Sequence, residues 1–229
     1  MSSEPIHVTQ TKPAEYGVHL IPIQLAESLE GKRVLLEDIL LAAQRRLRDF
    51  AQKHAWQANV KEPFASHFRV YSDKASFDQA LLEIGGLDPT IEIPATYCAA
   101  LEQDVLMSVS PELYRALYPE GDEECAFEKL LTHEMAHRLH IRILGGNEQG
   151  MGPVWFYEGF ALYAAGQFEK NVPALDFPKI RAIILNPERG SYRGYAAVFH
   201  YFLGKASIQS LIEMAAKAEF IDWLKENSR

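Results

Sequence analysis

The chain has little cysteine: Cys98 and Cys125 are the 2 in its 229 residues, too few for a disulfide framework. Both lie among apolar neighbours, so buried free thiols are expected. The first residues, Met1-Ser2-Ser3-Glu4-Pro5-Ile6-His7, hold neither the basic region nor the apolar core of a signal peptide. No apolar run reaches the ~20 residues that span a bilayer. Positive charge is also short, with 23 Lys and Arg against 31 Asp and Glu for a net charge of −8. That balance argues against nucleic acid or an anionic membrane as a partner. The absences together lead to the expectation of a cytoplasmic protein. There is no internal repeat and no low-complexity tract.

What is present is enough apolar surface for one substantial core. Hydrophobic residues make up 48% of the chain and aromatics 11%, which fits a single domain over 1–229. Within it, about 1–118 reads as an N-terminal α/β lobe and about 119–229 as a helical lobe. A strand is expected at Gly17 to Ile21. A helical stripe of Leu35, Leu36, Ile39, Leu40, Ala43, Leu47 and Phe50 predicts a helix from Val34 to His54. His67 to Tyr71 reads as a strand, followed by a helix from Lys74 to Ile84 that Ser72-Asp73 caps and Gly85-Gly86 ends. Two β-prone runs, Ile91 to Ala99 and Val105 to Ser110, predict a hairpin. Pro111 to Leu117 suggests a short helix and Pro119 to Asp122 a turn. Further on, helices are expected from about Trp155 to Lys170, at Lys179 to Leu185, and from Ser191 to Leu203. Two more are expected at Ile208 to Ala218 and Phe220 to Lys225.

The chemistry concentrates in His133-Glu134-Met135-Ala136-His137, inside a helical run from Glu124 to Leu144 that Gly145-Gly146 stops. At about 100° per residue, His133 and His137 share one face a turn apart and can bind one metal ion. Glu134 lies about 100° round from His133, beside a metal but not aimed at it, where a general base for a water would sit. A hydrolytic site needs a third protein ligand and an open position. Glu158 supplies a candidate, as the one acid in the apolar run Trp155-Phe156-Tyr157-Glu158-Gly159-Phe160-Ala161-Leu162-Tyr163. A lone carboxylate there is costly to bury unless paired or ligating. His140 reads as a histidine behind the ligands or at the surface, and Glu148 as a weaker third-ligand candidate. The metzincin pattern fails, because it wants Gly and His where His140 and Ile143 stand.

The pair His-Glu-x-x-His and Trp-x-x-Glu-Gly-x-Ala, at 133–137 and 155–161, resembles the zinc site of gluzincin metallopeptidases. The similarity is to the aminopeptidase branch's catalytic domain and to small peptidase-MA-like proteins, and it covers about 65–215. It implies a zincin-like α+β fold: a small mixed sheet with an edge strand beside a zinc helix, then a helical C-terminal lobe. It also implies one Zn2+ per chain on His133, His137 and Glu158, with Glu134 as base in peptide-bond hydrolysis. An extended peptide substrate would add to the sheet edge, for which Tyr97 to Leu101 is the candidate. The resemblance further places an oxyanion-stabilising tyrosine at the start of a later helix, here Tyr192 or Tyr195. Ser191 as N-cap puts Tyr192 in the first turn, facing a cleft, and favours it.

Two departures shape the reading. No Gly-Ala-Met-Glu-Asn-like stretch is present to grip a substrate amino terminus, so an endopeptidase or narrow-specificity enzyme is favoured over an aminopeptidase. An aminopeptidase would have to use Glu102, Asp104 or Glu148 for the ammonium. Leu162 also stands where the family has an acid one turn after the third ligand, so a partner for a ligand histidine must come from elsewhere. The rival from another class is a zinc-binding structural or regulatory module without turnover. Glu134 speaks against it, because a structural site needs no base and closes with a fourth ligand.

Overall fold

The structure, a computed structural model, describes residues 18–228. It is an α+β arrangement with a small mixed sheet. Strands β1 (Ile23–Leu25), β2 (His67–Tyr71), β3 (Ala99–Glu102) and β4 (Val105–Val109) take the order β1-β2-β4-β3. β1, β2 and β4 run parallel, with Phe68 opposite both Ile23 and Leu106, and β3 runs antiparallel to β4. β4 is buried along its whole length, as expected for an inner strand covered on both faces. The hairpin forms as expected, but β3 begins only at Ala99. Ile91 and Ile93 do not extend it: Pro89 and Pro94 flank them, and a proline has no N–H for a ladder.

The expected strand at 17–21 is corrected. Gly17 lies outside the described residues, 18–21 are irregular, and the strand is at Ile23–Leu25. Val18 and Ile21 are buried while Leu20 is 81% exposed. The backbone of His19 bonds the side chain of buried Gln44, which accepts its N–H at 3.0 Å and donates to its carbonyl at 2.9 Å. A glutamine side chain thus takes the place of a neighbouring strand.

Helix α1 (Arg33–Lys53) buries Leu36, Leu40, Ala43, Leu47 and Ala51, so most of the predicted stripe faces inward, although Leu35 faces solvent. α2 (Lys74–Gly85) is capped by Asp73, whose carboxylate accepts from Ser76 N at 2.8 Å, and it closes on left-handed Gly86. α3 (Pro111–Leu117) starts on Ser110 with proline in its first turn. The helical half consists of α4 (Ala126–Ile143), α5 (Val154–Ala165), α6 (Phe177–Leu185), α7 (Tyr192–Leu203), α8 (Ile208–Ala215) and α9 (Phe220–Asn227). α5 stops short of the expected Lys170, because Gly166 turns left-handed at φ 69° and its N–H caps the helix. α8 likewise ends before Ala218. Ser191 caps α7 as expected, accepting from Gly194 N at 3.4 Å.

α4 is the central element, packed against α1, α5 and β3. One continuous core runs from the sheet through α4 into the C-terminal helices, with Phe68, Leu106, Leu131, Trp155, Phe156, Phe160, Phe199 and Phe202 fully buried. Each such side chain contributes roughly 1.5–3 kcal/mol relative to exposure. Cys98 is buried, but Cys125 is exposed, against expectation. It occupies a left-handed position (φ 58°) at the entry to α4, outside the core. Among the described residues, no helix is long and apolar enough to cross a membrane.

Candidate metal centre

The helical period of α4 sorts the motif's side chains to different sides. Met135 and Ala136 point into the core, while His133 and His137 stack one turn apart with ring centroids 4.8 Å apart. α5 crosses this face and brings in Glu158, which is only 2% exposed. Three donor atoms converge. His133 Nε2 is 3.1 Å from Glu158 Oε2 and 3.1 Å from His137 Nε2, and His137 Nε2 is 3.7 Å from the same carboxylate oxygen. His133, His137 and Glu158 form a cluster that could hold a metal ion, with the ligand atoms all within 4.8 Å of one another. The chain matches no known protein family, no curated protein and no solved structure. What the site can do is therefore argued from its own chemistry.

The electrostatics suit metal ligands. Burial would push the Glu158 carboxyl up, but the His133 bond together with the charges of His137, His133 and Arg189 outweighs it, and the group stays ionised at about 2. Burial holds His137 down at about 4, so its ring is neutral with a free lone pair. His133 is opposed by burial but raised by Glu158. Its Nδ1 lies 2.9 Å from the side-chain oxygen of buried Gln167. Its two ring nitrogens thus face the Gln167 oxygen and the Glu158 carboxylate, and a metal binding at Nε2 would displace any proton held there. Gln167 is the partner for a ligand histidine that the sequence left unassigned. It becomes available because Gly166 ends α5 one residue earlier.

Glu134 lies beside the triad, not in it, and lines two cavities that His133 also lines. Burial pushes its carboxyl up to about 7, against the pull of His133. A base of that strength is matched to neutral pH. Positive charge on the three ligands would favour its ionised form further. The larger cavity is a cleft of about 660 Å³ that Tyr97, His137, Tyr157, Glu158, Arg189 and Tyr192 help to line. β3 contributes Leu101 and Glu102 to its wall. Arg138 on α4 fixes this hairpin, donating to the Gln103 carbonyl and pairing with Asp104 at 3.3 Å.

The two tyrosines separate. Tyr192 lines the cleft, with its ring 5.9 Å from that of His133. Burial raises its hydroxyl above the ordinary value, so it stays protonated. Tyr195 is buried away from the cleft, and its hydroxyl accepts from Gly190 N and donates to Glu188 O at 3.4 Å. The lesser candidates also divide. Glu102 and Glu148 line the cleft outside the metal cluster, and Asp104 is paired with Arg138. His140 is neither at the surface nor bonded to a ligand: it is fully buried, and its ring lies 4.5 Å from that of Phe160.

Sequence reasoning missed Arg189, which lies in the irregular stretch between α6 and α7. Its Nη1 donates to Glu158 Oε1 and to the Tyr192 hydroxyl, both at 2.7 Å. Nothing local could have found it, since the contact joins an irregular turn to a helix 31 residues away. Gly159 positions α7. A Cβ there would stand 2.8 Å from the Cβ of Phe199, so only glycine lets α7 approach so closely beside Glu158.

Proposed function

We propose that this chain is a zinc-dependent peptidase of gluzincin type, cutting peptide bonds as an endopeptidase or on a narrow set of peptides. The observation that carries the reading is the convergence of His133 Nε2, His137 Nε2 and Glu158 Oε2 at 3.1, 3.1 and 3.7 Å. Ligands about 2.0–2.1 Å from a tetrahedral zinc ion stand about 3.3 Å apart, so the donors fit without rearrangement. The donor set, two imidazoles and one carboxylate with Glu134 beside them, is that of a catalytic zinc site and not a closed structural one. The edge strand β3 along the cleft supports a zincin-like arrangement in which an extended peptide lies against it.

When bound, zinc supplies a Lewis acid that polarises the scissile carbonyl and makes water acidic near neutral pH. Glu134 accepts the proton of the attacking water and can pass it to the leaving amine. The Tyr192 hydroxyl donates to the oxyanion that forms on the carbonyl oxygen, because its own oxygen already accepts from Arg189 and its proton is free to face the cleft. Gln167 and Glu158 keep the His133 ring in place.

Metal analysis is the direct test. The purified protein should hold about one zinc per chain. His137→Ala and Glu158→Ala should each lose it, whereas His140→Ala should keep it. Retention in Glu158→Ala with loss in His140→Ala overturns the ligand assignment. The donor role is tested separately by kinetics. Losing one oxyanion donor typically costs about 2.7–4 kcal/mol, so Tyr192→Phe should lower kcat roughly 10²–10³-fold with KM little changed. Tyr195→Phe should cost much less, and the opposite ranking would move the role to Tyr195.

A further inference from the structure

Arg189 has no place in the sequence motifs, and its side chain is 45% exposed on the Pro187–Gly190 turn. It nevertheless reaches the most deeply buried acid of the site. A single nitrogen, Nη1, bonds Glu158 Oε1 and the Tyr192 hydroxyl, both at 2.7 Å. We infer that Arg189 is a positioning residue that couples the carboxylate ligand to the oxyanion donor. It occupies the outer carboxylate oxygen, so that Oε2 alone faces the two histidines, and it directs the Tyr192 proton into the cleft. This rests on the zinc-peptidase reading.

Three observations carry the inference. First, Glu158 divides its oxygens: Oε2 faces both histidines, while Oε1 is held by Arg189. A charge-assisted bond to the outer oxygen turns a carboxylate that could chelate through both atoms into a one-atom ligand. Second, a tyrosine hydroxyl has one proton. With Arg189 as donor to its oxygen, Tyr192 must send that proton elsewhere, and the cleft is where its ring faces. Third, the backbone on either side of Arg189 is pinned. Tyr195, itself buried, accepts from Gly190 N and donates to Glu188 O. The tyrosine that sequence proposed as an alternative oxyanion donor thus holds the turn that carries Arg189. One helix supplies both the donor and the clamp for the residue that aims it.

The test measures zinc affinity by chelator competition in the full chain, which needs no turnover. Arg189→Ala should weaken zinc binding by roughly 10–100-fold, the usual effect of losing a partner behind a ligand. Because the guanidinium is partly exposed, guanidinium ion at sub-denaturing concentration should restore part of the lost affinity, where equal NaCl should not. Tyr192→Phe should leave zinc affinity unchanged, and Tyr195→Phe should lower it less than Arg189→Ala does. Wild-type affinity in Arg189→Ala refutes the positioning role, as does a loss that guanidinium does not relieve. If Arg189→Ala fails to fold, Arg189→Lys takes its place, with reduced affinity expected and wild-type affinity refuting the role of the fork. A wild-type chain that binds no zinc refutes the peptidase reading itself, so the two failures are distinguishable.

Discussion

Glu134→Gln is expected to keep its zinc and to lose hydrolysis by roughly 10²–10⁴-fold, the usual contribution of a general base. The substitution preserves size and hydrogen bonding but cannot take a proton from water. None of the three convergent donor atoms belongs to Glu134, so metal occupancy should be unchanged. Glu134 lines the cleft together with His133, His137 and Glu158, which places it beside the position where a water would be activated. Zinc content and a peptide-library digest of wild type and variant make the comparison. Equal cutting by the variant, or no cutting by wild type, leaves the structural or regulatory module as the better reading.

His140→Leu should make the protein more resistant to acid. His140 is fully buried against Phe156 and Phe160, and neither ring nitrogen has a partner among the described residues. Burial lowers it to about 3, whereas in the unfolded chain it titrates near 6.5. Between those values the unfolded state takes up a proton that the folded state refuses, so stability rises with pH and falls on acidification. The penalty is absent above about pH 6.5 and grows by about 1.4 kcal/mol per unit below it, until folded His140 itself protonates near pH 3. Leucine has nothing to protonate. In metal-free samples the stability gap between variant and wild type should therefore widen by about 2 kcal/mol from pH 7.5 to pH 5. Urea unfolding at the two pH values measures it, and a gap that does not change with pH contradicts the account.

Much of the centre was legible because helical geometry is local. Once 124–144 reads as a helix, residues four apart must share a face, and His133 and His137 do. Glu158 was legible for a different reason: an isolated acid in an apolar helix needs a partner, and it has two histidines and an arginine. Two of the caps were also readable, since Asp73 and Ser191 are caps by chemistry, whereas Ser110 read as the end of a strand and caps α3 instead. What escaped depends on contacts distant in sequence. Gln167 and Arg189 follow helix ends and act across 34 and 31 residues. The first strand was misplaced because Gln44, on a helix 25 residues away, satisfies the backbone of His19. His140 reads from the sequence as a histidine behind the ligands or at the surface. Only the packing of α5 shows that this part of α4 is enclosed.

Gly159 gives the site its mechanical character. His133, His137 and Glu158 ride on α4 and α5, while Tyr192, and Arg189 through its turn, ride on α7; the two bodies meet where a missing side chain admits Phe199. The gap between that cluster and the Tyr192 hydroxyl is thus gauged by a contact with no adjustable atoms in it. A shift of α7 by a few tenths of an ångström would leave the imidazoles and carboxylate in register with one another, yet move the Tyr192 phenol relative to them. On the proposed peptidase reading, metal capture and transition-state stabilisation would accordingly be subject to separate tolerances. The first is set within one pair of helices, and the second at the joint between that pair and the helix that closes on it.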